Sequence, residues 1–311
     1  MIVCAGNFLV DILTRPVEEI RWNATVWVEH LEQSLGGNGA NTSFAIAKLG
    51  GHVRTLGTVG VDPFASHVLD ALGGVGADTS RIERTTAAPT SATTVLVRSD
   101  GARALLHRPG ASRLAFPEPI EFTPELTRGA AHFHLANPFG LPLLRPHAGE
   151  TLGRARAAGL TTSLDTGWDS RGEWMRVISP CLPHLDLLFV NEDEARMLTG
   201  SSEPEAAATA LRAGGARVVI VKLGADGCLV VDETSATSVP AFPVNVVDST
   251  GAGDCFVGAF LVRRLEGAPL AECARFANAV GALVVGALGS TTGLLDRAAT
   301  EAWIEAHAAA G

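Results

Sequence analysis

The strongest constraint on this chain is a rhythm in its second half. From about residue 131 onward, short apolar runs at 131–135, 160–164, 186–190, Val218–Lys222 and Cys228–Val231 are separated by stretches that read mostly as helices. Regular strand–helix alternation predicts a mostly parallel sheet with helices on both faces. The first third joins the same pattern. Ile2–Ala5 reads as a short buried strand ending at Gly6, and residues 41–49 read as a helix stopped by Gly50-Gly51. Val53–Val59 follows as a strand, then a helix with Pro63 near its start and Gly73-Gly74 at its end.

Two stretches break the rhythm. Residues 93–98 and 102–107 read as a hairpin turning at Ser99-Asp100-Gly101, and residues 22–35 contain an extended candidate, Thr25-Val26-Trp27-Val28. Both are assigned to a small separate β layer, a lid formed by about 12–35 and 86–110 on a single domain spanning 1–311. The hairpin's apolar face, Val95 and Val97 against Leu105, has no cover in a parallel sheet. It is therefore expected to close over a substrate or meet a partner lid. No internal repeat is evident, and the Ala-rich 205–213 stretch is simply a good helix.

Length and composition fit this picture. The 311 residues suffice for one large α/β domain, and 47% apolar against 18% charged residues excludes widespread disorder. A net charge of −9 argues against a nucleic-acid binder, and no Lys/Arg run suggests a membrane patch. It does not exclude a phosphate-bearing ligand, because local amides and a cation can hold one. The five cysteines (Cys4, Cys181, Cys228, Cys255 and Cys273) form no C-x-x-C pair and read as reduced thiols in a cytosolic core. No basic leader precedes Ile2, and the longest apolar stretch, 280–288, falls short of the roughly 20 residues a membrane helix needs. A soluble, cytoplasmic protein is expected.

Four segments carry chemistry. In Asp248-Ser249-Thr250-Gly251-Ala252-Gly253-Asp254, small residues precede an acid that opens an apolar helix. Bare backbone at 251–253 lets a phosphate approach unpaired helix amides, and Asp254 beside it is placed to take a proton. A cap and a tight turn explain the same residues equally well. Gly36-Gly37-Asn38-Gly39-Ala40-Asn41 also opens a helix, with amides suited to hydroxyl groups; a glycine turn with an Asn cap is the plainer reading. Asp11, just beyond the first strand, lies where α/β sheets bind ligands, although on its own a surface-loop Asp is the plainer reading. Asn191-Glu192-Asp193-Glu194 follows a strand and reads either as a capping box or as acids holding the waters of a Mg²⁺. No Walker A loop occurs, and Phe256 stands where a dinucleotide fingerprint needs its third glycine.

In this order and spacing the segments resemble the PfkB carbohydrate kinase family, of ribokinase-like fold. The G-G-x-G-A-N near residue 40 and the D-x-T-G-A-G-D near residue 250 look like its two signature regions. Asn191-x-x-Glu194 matches its N-x-x-E motif, and Val221-Lys222-Leu223-Gly224-Ala225-Asp226-Gly227 is similar to its strand–turn segment. The resemblance covers essentially the whole chain and implies an ATP-dependent phosphotransferase acting on a hydroxyl, with a mostly parallel central sheet and a small β lid. It implies Asp254 as catalytic base and the amides of Gly251, Ala252 and Gly253 as an anion hole. Asp11, Gly37, Asn38 and Asn41 would bind the acceptor, and Lys222, Gly224 and Asn278 would lie by the nucleotide. Asn191 and Glu194, helped by Asp165, would organise Mg²⁺ with ATP, largely through water. A K⁺ ion near the anion hole would draw on Asp248, Thr250 and the Gly289-Ser290-Thr291 loop.

The acceptor stays open at this point. Asn38 replaces the Lys of ribokinases proper, so the resemblance does not name ribose. The acceptor motif lacks a basic residue, which disfavours a sugar phosphate, although Arg98, Arg103 and Arg108 of the lid are candidates to meet an anion. Leu164-Asp165-Thr166-Gly167-Trp168-Asp169 looks like a stretch of many sugar kinases. A sugar kinase is the leading reading. A nucleoside kinase of the same fold is the alternative, with Phe8, Trp22 and Trp27 as aromatic candidates. A silent sugar-binding regulator would not need Asp254, and an NAD-dependent dehydrogenase lacks its glycine fingerprint. The expected partners are ATP, a small-molecule acceptor and a second copy through the lid, with no nucleic acid and no membrane.

Overall fold

The computed structural model describes residues 1–100 and 102–308. Its strands are β1 (Ile2–Ala5), β2 (Leu9–Arg15), β3 (His30–Gly36), β4 (Val53–Val59), β5 (Ile82–Arg84), β6 (Ser91–Val97), β7 (Arg103–Arg108), β8 (His132–Ala136), β9 (Thr161–Asp165), β10 (Leu187–Asn191), β11 (Val218–Lys222), β12 (Cys228–Val231) and β13 (Ala236–Val239). Nine of them form one sheet in the order β13-β12-β11-β10-β9-β8-β1-β4-β5. Its pairings are parallel from β5 across to β11, and antiparallel only at β11–β12 and β12–β13.

Period-two side-chain alternation divides the core into two layers. On β10, Leu187 and Phe189 join Ile46, Phe260 and Val280 on one face, whereas Leu188 and Val190 join Phe133, Leu152 and Ile178 on the other. All five cysteines are buried free thiols. Among the described residues, no helix is long and apolar enough to cross a membrane.

The remaining strands form a separate sheet in the order β3-β2-β6-β7. Here β6 and β7 make the antiparallel hairpin, with Val95 opposite Leu105. Gly101 of its turn lies outside the described residues. The partner of that hairpin differs from expectation. Residues 25–28 carry no regular structure, and the strand is His30–Gly36. It pairs with β2, an element that alternation with Asp11 and Thr14 had concealed, so Asp11 lies inside a strand rather than in a loop.

Two local details set the site. Strands β8, β9 and β10 each run one residue later than the apolar pattern indicates, because pairing continues to Ala136↔Asp165 and Asn191↔Lys222. Asp165, Asn191 and Lys222 therefore close adjacent strands at one sheet edge. The helix Asn38–Lys48 starts three residues earlier than read. Its entry needs glycine: a Cβ on Gly6 would lie 2.6 Å from Gly39 Cα, so the helix begins directly against the end of β1.

Candidate active site

Asp254 sits in the first turn of the helix Ala252–Leu265, buried at 8% exposure. Both carboxylate oxygens are held from another helix. Asn38 Nδ2 donates to Oδ1 at 2.8 Å, and Asn41 Nδ2 donates to Oδ2 at 2.9 Å. The two amides lie three residues apart in the first turn of the Asn38–Lys48 helix, so they face the same way. Asn137 Nδ2 in turn donates to Asn38 Oδ1 at 2.8 Å, and Asn7 Oδ1 accepts from the Asn38 backbone N–H at 3.1 Å. Burial pushes the Asp254 carboxyl above its ordinary range, against the opposing donors of Asn41 and Asn38. Asn38 and Asn41, read in the sequence as acceptor ligands, thus spend an N–H each on the acid. Asn7 and Asn137 were not legible; the Asn137-Pro138 turn signal was the only hint of the latter.

The approach to Asp254 is bare backbone. Gly251 adopts φ 74°, and a Cβ there would lie 2.4 Å from Ser290 O. No side chain caps this helix, and the Ala252 N–H makes only a long 3.5 Å bond to Ser249 O, which leaves the helix start open to an anion. Beside it opens a cavity of about 670 Å³ whose lining includes Gly253, Lys222, Gly224, Asn191 and Asn278, together with Phe242. Five residues singled out from four separate motifs therefore meet around one space, of ligand-binding size. The apolar wall from Phe242 to Val246 had no readable pattern. Asn278 reaches this wall indirectly, donating to the carbonyls of Val239 and Pro240 at 2.9 and 3.1 Å.

The floor is charged. Lys222 Nζ donates to both oxygens of Asp165 at 2.9 Å. Burial works against the Lys222 ammonium, but Asp165 and Glu194 overcome it and hold the pKa above its ordinary value. Asp165, expected near a metal, is thus committed to Lys222. Asn191 and Glu194 form a full capping box: Asn191 Oδ1 accepts from the Glu194 N–H, and Glu194 Oε2 accepts from the Asn191 N–H, each at 2.8 Å. Thr166 Oγ1 also donates to Oε2, at 2.9 Å. Burial raises the Glu194 pKa, opposed by Lys222 and reinforced by Asp165.

Asp11, on β2, is near enough to Asp254 and Asp248 to feel their charges. Burial pushes its carboxyl up to about 7, opposed by a Thr93 hydrogen bond and reinforced by the charges of Asp254 and Asp248. Its Oδ2 packs under Gly36, where a Cβ would lie 2.4 Å away. Gly37, at φ 96°, brings backbone against Asn7 O.

The three arginines of the β6–β7 hairpin region are all engaged on protein groups. Arg98 pairs with Asp100, and Arg108 Nη2 donates to Thr90 O at 2.8 Å. Arg103 Nη1 donates to Asp248 Oδ1 at 3.2 Å and Thr250 Oγ1 at 2.6 Å, and Nη2 donates to Ser249 Oγ at 3.0 Å. The aromatic candidates are not a pocket: Phe8 is fully buried in the core, while Trp22 and Trp27 are 89% exposed.

A family model described as pfkB family carbohydrate kinase matches residues 1–297. The chain is 31% identical to fructokinase-1 of Zea mays over 315 residues, covering 94% of each protein. It is also 31% identical to the ATP-dependent ribose-1-phosphate kinase of Halopiger xanaduensis, over 87% of this chain and 91% of that one. The solved structure of Arabidopsis thaliana ribokinase with ribose and ATP matches it at a TM-score of 0.84 and 28% identity, over 98% of this chain and 97% of that one.

Proposed function

The chain belongs to the pfkB family of carbohydrate kinases, and from that premise we propose that it moves the γ-phosphoryl group of ATP to a sugar hydroxyl with Asp254 as general base. It is an ATP-dependent carbohydrate kinase. The observation that carries the residue assignment is the placement of Asp254, buried, oriented at both oxygens, and in the same first helical turn as the amides beside the cavity.

The sugar lies between Asp11 and Asp254, with Gly37, Asn38 and Asn41 behind it. Asn38 and Asn41 fix the Asp254 carboxylate so that its free lone pairs face the attacking hydroxyl. Its raised pKa makes it a better proton acceptor than an ordinary carboxylate. As the hydroxyl attacks, Asp254 takes its proton, and the amides of Gly251, Ala252 and Gly253 hold the oxygens of the transferring group. Nucleotide fills the cavity, with the Lys222 ammonium and Gly224 on one side and the wall fixed by Asn278 on the other.

Among the described residues no cluster of His, Cys, Asp or Glu is arranged to hold a metal directly. Glu194 leaves Oε1 without a protein partner among the described residues, which suits a Mg²⁺ carried on nucleotide phosphates and held through water by Glu194 and Asn191. Such an ion supplies charge neutralisation at the phosphates. Asp165 serves Lys222 instead. The Asp248 and Thr250 side chains are poorly suited to a monovalent cation: Asp248 Oδ1 already accepts from Arg103, Thr250 N–H and Thr250 Oγ1, and Oδ2 accepts from the Gly289 N–H.

A sugar is favoured over a nucleoside because Phe8, Trp22 and Trp27 form no stacking pocket. A neutral sugar is favoured because the lid arginines are engaged. The relatives support a sugar of either kind: the fructokinase and the ribokinase solved with ribose carry free sugars in their names, whereas the Halopiger xanaduensis relative is a ribose-1-phosphate kinase. The four-stranded sheet is assigned as a lid, and its exposed β7 edge, with Leu105 and Leu106 each 64% exposed, as the contact with a second copy. The test is ADP release from Mg·ATP with a panel of free sugars and nucleosides. Turnover on sugars supports the reading; turnover confined to nucleosides overturns the acceptor class.

A further inference from the structure

We propose that Arg103 is a built-in cation: its guanidinium stands where a monovalent metal ion would bind the Asp248–Thr250 turn, so this enzyme needs no K⁺. This role of Arg103 rests on the nucleotide reading above only where it links that turn to ATP. Asp248 is buried, and its side chain is only 6% exposed. A buried carboxylate requires a compensating charge and a full set of donors. It has both. Four donors meet its two oxygens, and one of them is cationic.

The guanidinium does more than neutralise. Its planar fork meets three oxygens on three consecutive residues, Asp248, Ser249 and Thr250, which immediately precede Gly251. Thr250 Oγ1 accepts from Arg103 and donates to Asp248 Oδ1 at 2.7 Å, so the hydrogen bonds form a closed set. Arg103 Nη1, 3.2 Å from Asp248 Oδ1 and 2.6 Å from Thr250 Oγ1, occupies a position from which a cation would contact both oxygens. The same turn supplies Ser249 to the cavity wall and leads into the first-turn amides. Arg103 is thus a positioning residue for the anion hole. Because it stands on β7, the charge arrives with the four-stranded sheet, and withdrawing that sheet takes the cation from the turn.

The test uses the full chain, wild type, R103M and R103K, in KCl, NaCl or tetramethylammonium chloride at equal ionic strength. Melting of the ligand-free protein is the first measurement, and calorimetric titration with Mg·ATP the second. Wild type should melt at the same temperature in all three salts. R103M should melt about 2–4 °C lower in tetramethylammonium and recover in KCl, as loss and replacement of one interaction would give in a protein of this size. Its ATP affinity should fall about tenfold and recover with K⁺, whereas R103K should remain salt-indifferent. Stabilisation of wild type by K⁺ over tetramethylammonium overturns the proposal, whether or not R103M folds. So does an R103M protein with the salt response of wild type. Absence of ATP binding by wild type would overturn the nucleotide reading, while the melting comparison would still decide the role of Arg103.

Discussion

Lys222 Nζ stands 2.9 Å from each carboxylate oxygen of Asp165, at the ends of strands separated only by β10. The pair is buried, with side chains 15% and 4% exposed. Removing one partner of such a pair is costly because the other charge is left without compensation. Lys222→Met is therefore expected to lose roughly 3–5 kcal/mol of stability in urea unfolding. The double variant with Asp165→Asn should recover much of that loss. If the double variant is no more stable than Lys222→Met, the pair is not the source of the effect.

Asp254→Asn keeps the shape of the side chain but cannot accept a proton from the acceptor. Turnover should fall about 10²–10⁴-fold, the usual worth of a positioned base, with KM for ATP little changed. Asn38→Ala and Asn41→Ala each leave the acid but free one of its oxygens, so their kcat losses should be smaller and accompanied by a shift of the pH–rate profile. A folded Asp254→Asn variant with near-normal turnover would remove this residue from the mechanism.

The four-stranded sheet presents β7 with every residue exposed, and Arg103 is the point where it grips the 248–250 turn. Acceptor binding between Asp11 and Asp254 should tighten that grip and exclude water. Hydrogen exchange over 91–108 should slow at saturating acceptor, and solution scattering should report a dimer. Unchanged exchange in that segment would leave the kinase intact but the lid assignment wrong.

Most of the central sheet was legible from its alternation with helices and glycine stops, and Val53–Val59, Val218–Lys222 and Cys228–Val231 appear where their composition places them, whereas the short edge strands β5 and β13 were not read from the sequence. The second sheet was legible only as a hairpin. Asp11 and Thr14 interrupt the apolar residues of β2, so the strand looks like a loop until its partners β3 and β6 are seen. The same lesson holds for the site. Motif residues such as Gly251 and Asn191 announce themselves through local backbone chemistry, a positive φ and a capping box. Asn7, Asn137 and Arg103 act across 31, 99 and 145 residues of chain. No short window of sequence contains such contacts.

Asp11 makes both sugar binding and stability depend on pH. Its carboxyl is pushed up to about 7, first by burial, with Thr93 opposing and the Asp254 and Asp248 charges reinforcing. The ionised form accepts two hydroxyl hydrogen bonds and the protonated form is the poorer acceptor, so KM for the sugar should rise as pH falls through about 7. Stability runs the other way. Because the folded pKa lies above the ordinary value of 3.8, the folded protein binds the extra proton between those limits. That stabilisation is fully present below 3.8 and is lost as pH rises through about 7. Asp11→Asn cannot ionise, so its melting temperature relative to wild type should be higher at pH 8 than at pH 5, by an amount set by about 1.4 kcal/mol per unit of pKa displacement. The variant should still bind sugar poorly at both values. A melting difference that does not change with pH would mean that Asp11 ionises normally in the fold, and the KM argument would fall with it.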